Sequence, residues 1–402
     1  MTTRVSEGSL DSLQVCDALA TRPGSVSGFY NVKQVVRRDL CVLSCAVALR
    51  RRCRMPGLPF HALDAFASSG VQGIRLANEC PLLVRGAIGM PPSAVPPLKV
   101  TLNDEDAVAS NLCASNASGS GISILQRNAA ALLHEQSFDA SLLDPFGSVA
   151  LYLDACMAKA PHGSTLELTT TDLEAVYGAR PDITRRTYAA RVPAKRPFFF
   201  RELGVRVLIG AAVRAANRHG RGIIPLFVVS SDEHWVHVSL RVEKGGRAAD
   251  LAEANVRRFC ICKSYGTGFA MPLGTTACQD CNGMCPASEG SQYGPVWLGP
   301  LYDRSWLEEM AAMSVLPNTA NWFSKKTHKL LQTLVGEAQV PPERLFYQRP
   351  AAANSLPKLA HVMRELRESG FVAARTHFDP LAIRTDAPPR EFDAAVRRAC
   401  SE

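Results

Sequence analysis

Residues 138–152 read FDASLLDPFGSVALY. An apolar run closes on Asp144-Pro145-Phe146-Gly147, and a helix-like segment follows. In a strand-then-helix unit this sets Asp144 at the carboxyl end of a strand, where open α/β sheets bind their ligands. These residue types also have a chemical reading. The lone pair of an exocyclic amine on a nucleobase is delocalised into the ring, which makes the amine a poor nucleophile. A carboxylate and a main-chain carbonyl can hold its hydrogens and favour a localised lone pair. Pro145 has a fixed φ and no N–H, so the turn can present a carbonyl rather than a donor. Phe146 offers a face on which a base can stack. Asp144, Pro145 and Phe146 are therefore the candidate catalytic group. Taken alone, Asp-Pro-Phe-Gly better suits a plain strand-terminating turn, and the flanking sequence shifts the balance.

The flanking sequence repeats the pattern. Residues 61–66 read as a first strand, followed by the small-residue turn Ala67-Ser68-Ser69-Gly70 and a helix over 71–80. Small residues let backbone amides approach a ligand closely, which marks Ser69 and Gly70 as ligand contacts. Residues 98–102 form a second strand ending at Asn103-Asp104. An acid there is where a doubly wound nucleotide-binding fold holds a ribose diol. Residues 121–125 form a third strand ending near Asn128, the opening stretch supplies the fourth, and 164–169 the fifth, ending at Asp172. Strands alternating with helices predict a parallel sheet with helices on both faces. Gly70, Asp104, Asn128, Asp144 and Asp172 all fall at strand ends. Residues 197–217 read as a long helix with Glu202 and Arg206 spaced to pair. Residues 222–231 and 234–243, joined by Asp232-Glu233, form a hairpin.

The rest of the chain bounds the class. Its 402 residues suffice for two or three domains. It has no apolar run long enough for a membrane span and no apolar leader. Residues 1–30 read as short strands or an irregular arm, and a helix extends to about Arg52. Net charge is +8, concentrated in residues 180–221, a basic, Pro-punctuated loop followed by the long helix. Such a concentration suits a polyanion such as nucleic acid, or a solvated surface. Thirteen cysteines, an odd number, indicate a reducing compartment. Cys260 and Cys262, then Cys278 and Cys281, form two close pairs that suit a four-thiolate structural zinc site, with Cys285 a spare candidate. The first pair is one residue shorter than a CxxC. Unliganded cysteines are the alternative. Residues 244–251 read as a linker, 361–369 as an amphipathic helix, and 371–376 and 382–385 as strands.

Together these landmarks resemble the tRNA (guanine26-N2)-dimethyltransferases over nearly the whole chain. The matching segments are FYN with RDL within residues 29–40, SSGVQGIR at 68–75, NDED at 103–106, LDPFGS, TTTDLEAVYG at 169–178, GRGIIPLFVVSSD at 220–232, CQDCNG, GPVWLGPL and RTHFDPLAIRTDAP at 375–388. The resemblance implies a class I, Rossmann-like α/β methyltransferase domain over 1–250, with an N-terminal arm and helix over 1–55. A C-terminal α+β tRNA-binding domain over 251–402 would carry the Cys cluster 260–285. It implies S-adenosylmethionine as methyl donor and tRNA as substrate, with one or two methyl groups transferred to the N2 amine of guanine 26. Arg38 and Gly70 would border the methionine part of the donor, Asp104 its ribose and Asn128 its adenine. Asp144 and the Pro145 carbonyl would orient the guanine amine while Phe146 stacks on the base, which must leave its stack to arrive there. Arg185, Arg186, Lys195, Arg375, His377 and Arg384 would grip tRNA by shape and phosphate. The chain is expected to act as a monomer inside the cell, in nucleus, cytoplasm or mitochondrion.

The chain departs from that pattern at Arg37, where the family has Asn, at Gln72 and His237, where it has Arg, and at Leu142 and Asn128, where it has acids. Gln72 and Leu142 motivate an alternative: a relative that binds RNA as an assembly or chaperone module without methylating it. A DNA amine methyltransferase shares the Asp-Pro-Phe chemistry but gives no reason for the C-terminal Arg-Thr-His and Arg-Thr-Asp segments.

Overall fold

The apolar run before Asp144 becomes a short strand with all four side chains buried, as a strand covered by helices on both faces requires. The protein is described from a computed structural model over residues 2–16, 29–53, 58–89, 92–117, 121–262, 264–270, 278, 280–281, 292–342, 345–348 and 357–400. The chain opens with a hairpin, β1 (Thr2–Glu7) and β2 (Leu10–Cys16), then α1 (Val35–Arg52). There follow β3 (Phe60–Asp64), α2 (Val71–Ile88), β4 (Leu98–Asn103), α3 (Ala107–Asn116), β5 (Ser123–Leu125), α4 (Ala129–Glu135) and β6 (Ala140–Leu143). Then come α5 (Leu153–Ala158), β7 (Thr165–Thr170), α6 (Leu173–Val176), α7 (Pro181–Tyr188), α8 (Phe200–Arg218), β8 (Arg221–Ser231) and β9 (Trp235–Lys244).

β3 to β9 make one seven-stranded sheet in the order β5-β4-β3-β6-β7-β9-β8. β5, β4, β3, β6 and β7 run parallel, and the β8–β9 hairpin closes the edge antiparallel to β7. Alternate residues feed the two faces. Leu63, Leu143 and Leu168 pack with α4, α5 and α8, while Ala62, Leu142 and Leu102 pack with α1 and α2. The strand ends carrying Asp144, Asp104 and the Ser68–Gly70 turn therefore meet along one edge, as the strand-and-helix alternation predicts.

Two segments differ from the sequence expectation. The basic stretch read as loop contains α7, whose Pro181 sits in the first turn, where its missing N–H costs nothing. The expected linker contains α9 (Gly246–Glu253), packed so closely on β8 that a Cβ on Gly222 would lie 2.1 Å from the Ala248 carbonyl oxygen. Short helices with few apolar residues owe their stability to tertiary packing, which local pattern does not reveal.

Beyond α9 lie a three-stranded antiparallel sheet of β10 (Val256–Ile261), β11 (Gly268–Ala270) and β12 (Gln292–Trp297), then α10 (Arg304–Ser314) and α11 (Lys325–Glu337). A last sheet of β13 (Tyr347–Gln348), β14 (Ala373–Arg375) and β15 (Ala382–Thr385) packs with α12 (Leu359–Glu368) and α13 (Pro389–Cys400) around its own small core. Phe259, Val296, Trp297 and Leu301 join the core on one face of the large sheet, and Trp306, Leu307 and Met310 join that on the other. Hydrophobic packing thus runs continuously across residue 250.

Candidate active site

At the carboxyl ends of the parallel strands opens a cleft of about 960 Å³. Its wall includes Asp144, Pro145, Phe146 and Leu142 from the end of β6, Asp104 and Glu105 after β4, and Ser68 and Ser69 before α2. Thr170 and Thr171 anchor the turn after β6. The Thr171 hydroxyl accepts the Gly147 amide at 3.1 Å, and the Thr170 hydroxyl donates to the Gly147 carbonyl at 3.0 Å. Gly147 itself has φ 82°, a left-handed value at which a side chain would strain the turn. Phe146 is 59% exposed, and its ring lies 5.6 Å from that of Phe29.

The turn after β3 is built around Asp104. Its carboxylate accepts the Ser68 amide at 2.9 Å and the Asp106 amide at 3.0 Å. Burial nonetheless pushes its carboxyl up, against those hydrogen bonds. Gly70, with φ 81°, begins α2, and Ser68, Ser69 and Val71 around it line the cleft. The Ser69 hydroxyl is buried and has no partner. A buried hydroxyl without a hydrogen bond is costly, and a bound ligand can repay that cost.

Arg38 lines the cleft beside Tyr30, but its guanidinium is engaged by Glu7 through bonds of 2.8 and 2.6 Å. Glu7 belongs to the N-terminal hairpin and also pairs with Arg75 at 2.8 Å. Burial raises the Glu7 carboxyl, yet Arg38 and Arg75 outweigh it and hold it at about 2. Asn128 caps α4, accepting the Ala131 amide at 3.1 Å, and donates to Glu105 at 3.1 Å. Asn128 is exposed between Arg127 and Ala129, which with Glu105 line that end of the cleft.

Three further residues at the cleft have no role assigned from sequence. Arg37 pairs with Asp144 at 2.9 Å. Asp64, at the end of β3, accepts the Gly73 amide at 3.2 Å, and burial pushes its carboxyl up to about 7, against Arg37. Phe29 borders the cleft opposite Phe146. The RDL motif drew attention to Arg38, but no local signal says which of two adjacent arginines reaches β6.

The expected RNA contacts divide. Arg185, Arg186, Lys195 and Arg375 are exposed. Arg384 and His377 are not available to phosphate, which corrects their sequence assignment. Arg384 pairs with Glu202 at 2.7 Å and Glu337 at 3.0 Å, and is buried. His377 donates from Nδ1 to Glu337 at 2.6 Å, and its Nε2 accepts the Ser230 amide at 3.2 Å. An Arg held between two buried acids gains nothing by reaching for solvent. The sequence reading missed this because Glu202 and Glu337 lie far from Arg384 along the chain.

Cys262, Cys278 and Cys281 bring their sulfurs within 4.8 Å of one another, and Cys260 packs in the same buried cluster. Cys285 lies outside the described residues. Among the described residues no helix is long and apolar enough to cross a membrane.

The sequence profile of the N2,N2-dimethylguanosine tRNA methyltransferases matches residues 12–397. A tRNA (guanine(26)-N(2))-dimethyltransferase of Aeropyrum pernix is 32% identical, covering 93% of this chain and 90% of its own. Its counterpart in Methanosphaerula palustris is 30% identical, covering 93% and 92%. The solved complex of Trm1 from Pyrococcus horikoshii with S-adenosyl-L-methionine aligns with a TM-score of 0.78 at 26% identity, covering 98% of this chain and 99% of that one.

Proposed function

The chain belongs to the N2,N2-dimethylguanosine tRNA methyltransferase family, and from that premise we propose how its residues methylate the N2 amine of guanine 26 in tRNA. It is an S-adenosylmethionine-dependent enzyme; when bound, the donor supplies an electrophilic methyl group on a sulfonium. Ser69, the Gly70 turn and Asp104 would hold the donor, the buried, unpartnered Ser69 hydroxyl and Gln72 Oε1 being polar atoms of that wall. Arg38 would border the methionine end only through what Glu7 leaves open.

The observation that carries the catalytic reading is the turn after β6. There Asp144, Pro145 and the exposed Phe146 line the cleft together. Asp144 and the Pro145 carbonyl would accept the amine hydrogens and turn its lone pair toward the methyl group. Phe146 would stack on the extruded base. Asp144→Ala should abolish methyl transfer while tRNA binding persists, because the acceptor goes but the grip stays. Mass spectrometry of tRNA nucleosides measures the first and filter binding the second; a variant with normal turnover would sink the assignment.

Residues 1–250 would carry the donor site and 251–402, with the exposed Arg375, much of the tRNA grip, joined by the exposed Arg185, Arg186 and Lys195. The Cys262, Cys278 and Cys281 thiols, with Cys260 beside them, suit a structural zinc ion. A monomer in solution would suffice for this chemistry, which sedimentation velocity checks directly.

A further inference from the structure

We propose that Arg37 is a positioning residue for methyl transfer, acting through Asp144, an inference that rests on the role given to Asp144 above. Arg37 stands on α1, buried, with its side chain 6% exposed and its Nη2 2.9 Å from Asp144 Oδ2. Its other nitrogens are held from behind: Nε donates to Gln34 at 3.2 Å, and Nη1 lies 3.9 Å from the Cys41 sulfur. Burial favours the neutral form of such a group, but Asp144, with Cys41, Asp64 and Glu7 adding to it, outweighs burial, so the guanidinium stays charged. Leu142 gives the same strand an apolar side chain at the cleft, so β6 offers Arg37 no second carboxylate.

The consequence is geometric. Asp144 follows a short strand, and its carboxylate is 22% exposed. Left alone, it would rotate among several orientations. Arg37 occupies Oδ2 and fixes the carboxylate plane, which leaves Oδ1 for the guanine amine. In the step itself the amine nitrogen bonds to the methyl carbon and the carbon–sulfur bond breaks, its electron pair going to sulfur. The nitrogen then loses a proton to the Asp144 carboxylate or the water beyond it. A reacting amine misaimed by about 1 Å can lose about 100-fold in rate, so the orientation of the acceptor counts directly.

Arg37→Gln, Arg37→Lys and Asp144→Asn test this on the full chain with tRNA and radiolabelled donor. Single-turnover rates are read beside donor affinity by calorimetry and tRNA affinity by filter binding. Arg37→Gln should lower the transfer rate about 10- to 100-fold with both affinities within about twofold, since only the oriented state is lost. Arg37→Lys should recover part of the rate by restoring a cation. Where Arg37→Gln does not fold, Lys alone decides: an intermediate rate with unchanged affinities supports the role, and a wild-type rate overturns it. An unchanged rate in Arg37→Gln overturns it too, as does a loss matched by weaker donor binding, which would make Arg37 a donor contact. Equal losses in Gln and Lys with lowered melting points would make it merely structural. Should Asp144→Asn keep normal turnover, the reading of Asp144 itself fails; should it be inactive while Arg37→Gln is normal, only the present proposal does.

Discussion

Asp64 shows how a single side chain at the cleft floor sets a cost. It is 4% exposed, and burial raises its carboxyl to about 7 from an ordinary 3.8, with Arg37 opposing and Asp144 adding to the rise. A carboxyl raised by folding costs nothing below its unfolded value. The cost then grows as pH climbs from about 4 to about 7 and is full above that, on the order of 4 kcal/mol. Asp64→Asn keeps an acceptor for the Gly73 amide and removes the charge. It should raise the melting temperature at pH 8 and leave it unchanged at pH 4; an equal shift at both values would show that burial of the charge is not the cause. At this scale the sequence was half legible. Asp104 and Asp144 announce themselves by standing at strand ends. Arg37 does not, because its pairing depends on how α1 lies over the sheet, a matter of tertiary packing.

The strands were readable for a physical reason. β6 is a short, mostly apolar run, which is what burial on two faces demands, and β4 and β7 carry leucines or valine at alternate positions between turn signals. α7 and α9 were not, since neither carries enough apolar residues to set a period, and each is held by what it packs on. The cysteine segment around β10 and β11 falls between these cases: its spacing suggested a metal, and the fold gathers three of its thiols with a fourth beside them. If zinc binds here, purified protein should contain about one equivalent by elemental analysis, and Cys278→Ser should lose it. The same substitution should lower thermal stability, because Cys260, Cys262, Cys278 and Cys281 form a buried cluster of their own. Absence of metal from protein purified without chelator would leave these cysteines as ordinary core residues.

Over the whole molecule, one buried network ties distant parts of the chain together. Glu202 of α8 bridges Arg206 and Arg384, and Glu337 of α11 binds Arg384, His377 and the Thr376 hydroxyl. Burial raises the Glu337 carboxyl, but His377 and Arg384 outweigh it and hold it at about 2. A depressed carboxyl stabilises above its unfolded value, 4.5, and that contribution fades as pH falls toward 2. Glu337→Gln should cost about 3–5 kcal/mol at pH 7, by leaving Arg384 with a single acid. Urea titrations of variant and parent should converge as the solution is acidified through that window; a gap independent of pH would exclude the charge as its source. Sequence showed Arg384 and His377 only as cations near the chain's end, and their partners became visible when three segments met. The continuity of packing past residue 250 has a bearing on anyone recombining such proteins. Phe259, Val296, Trp297 and Leu301 finish the interior of the preceding sheet. A chimera spliced at the apparent seam would therefore inherit a hole on one side and bare grease on the other, and a cut after Leu301 would do the same to the opposite face, which Trp306, Leu307 and Met310 complete.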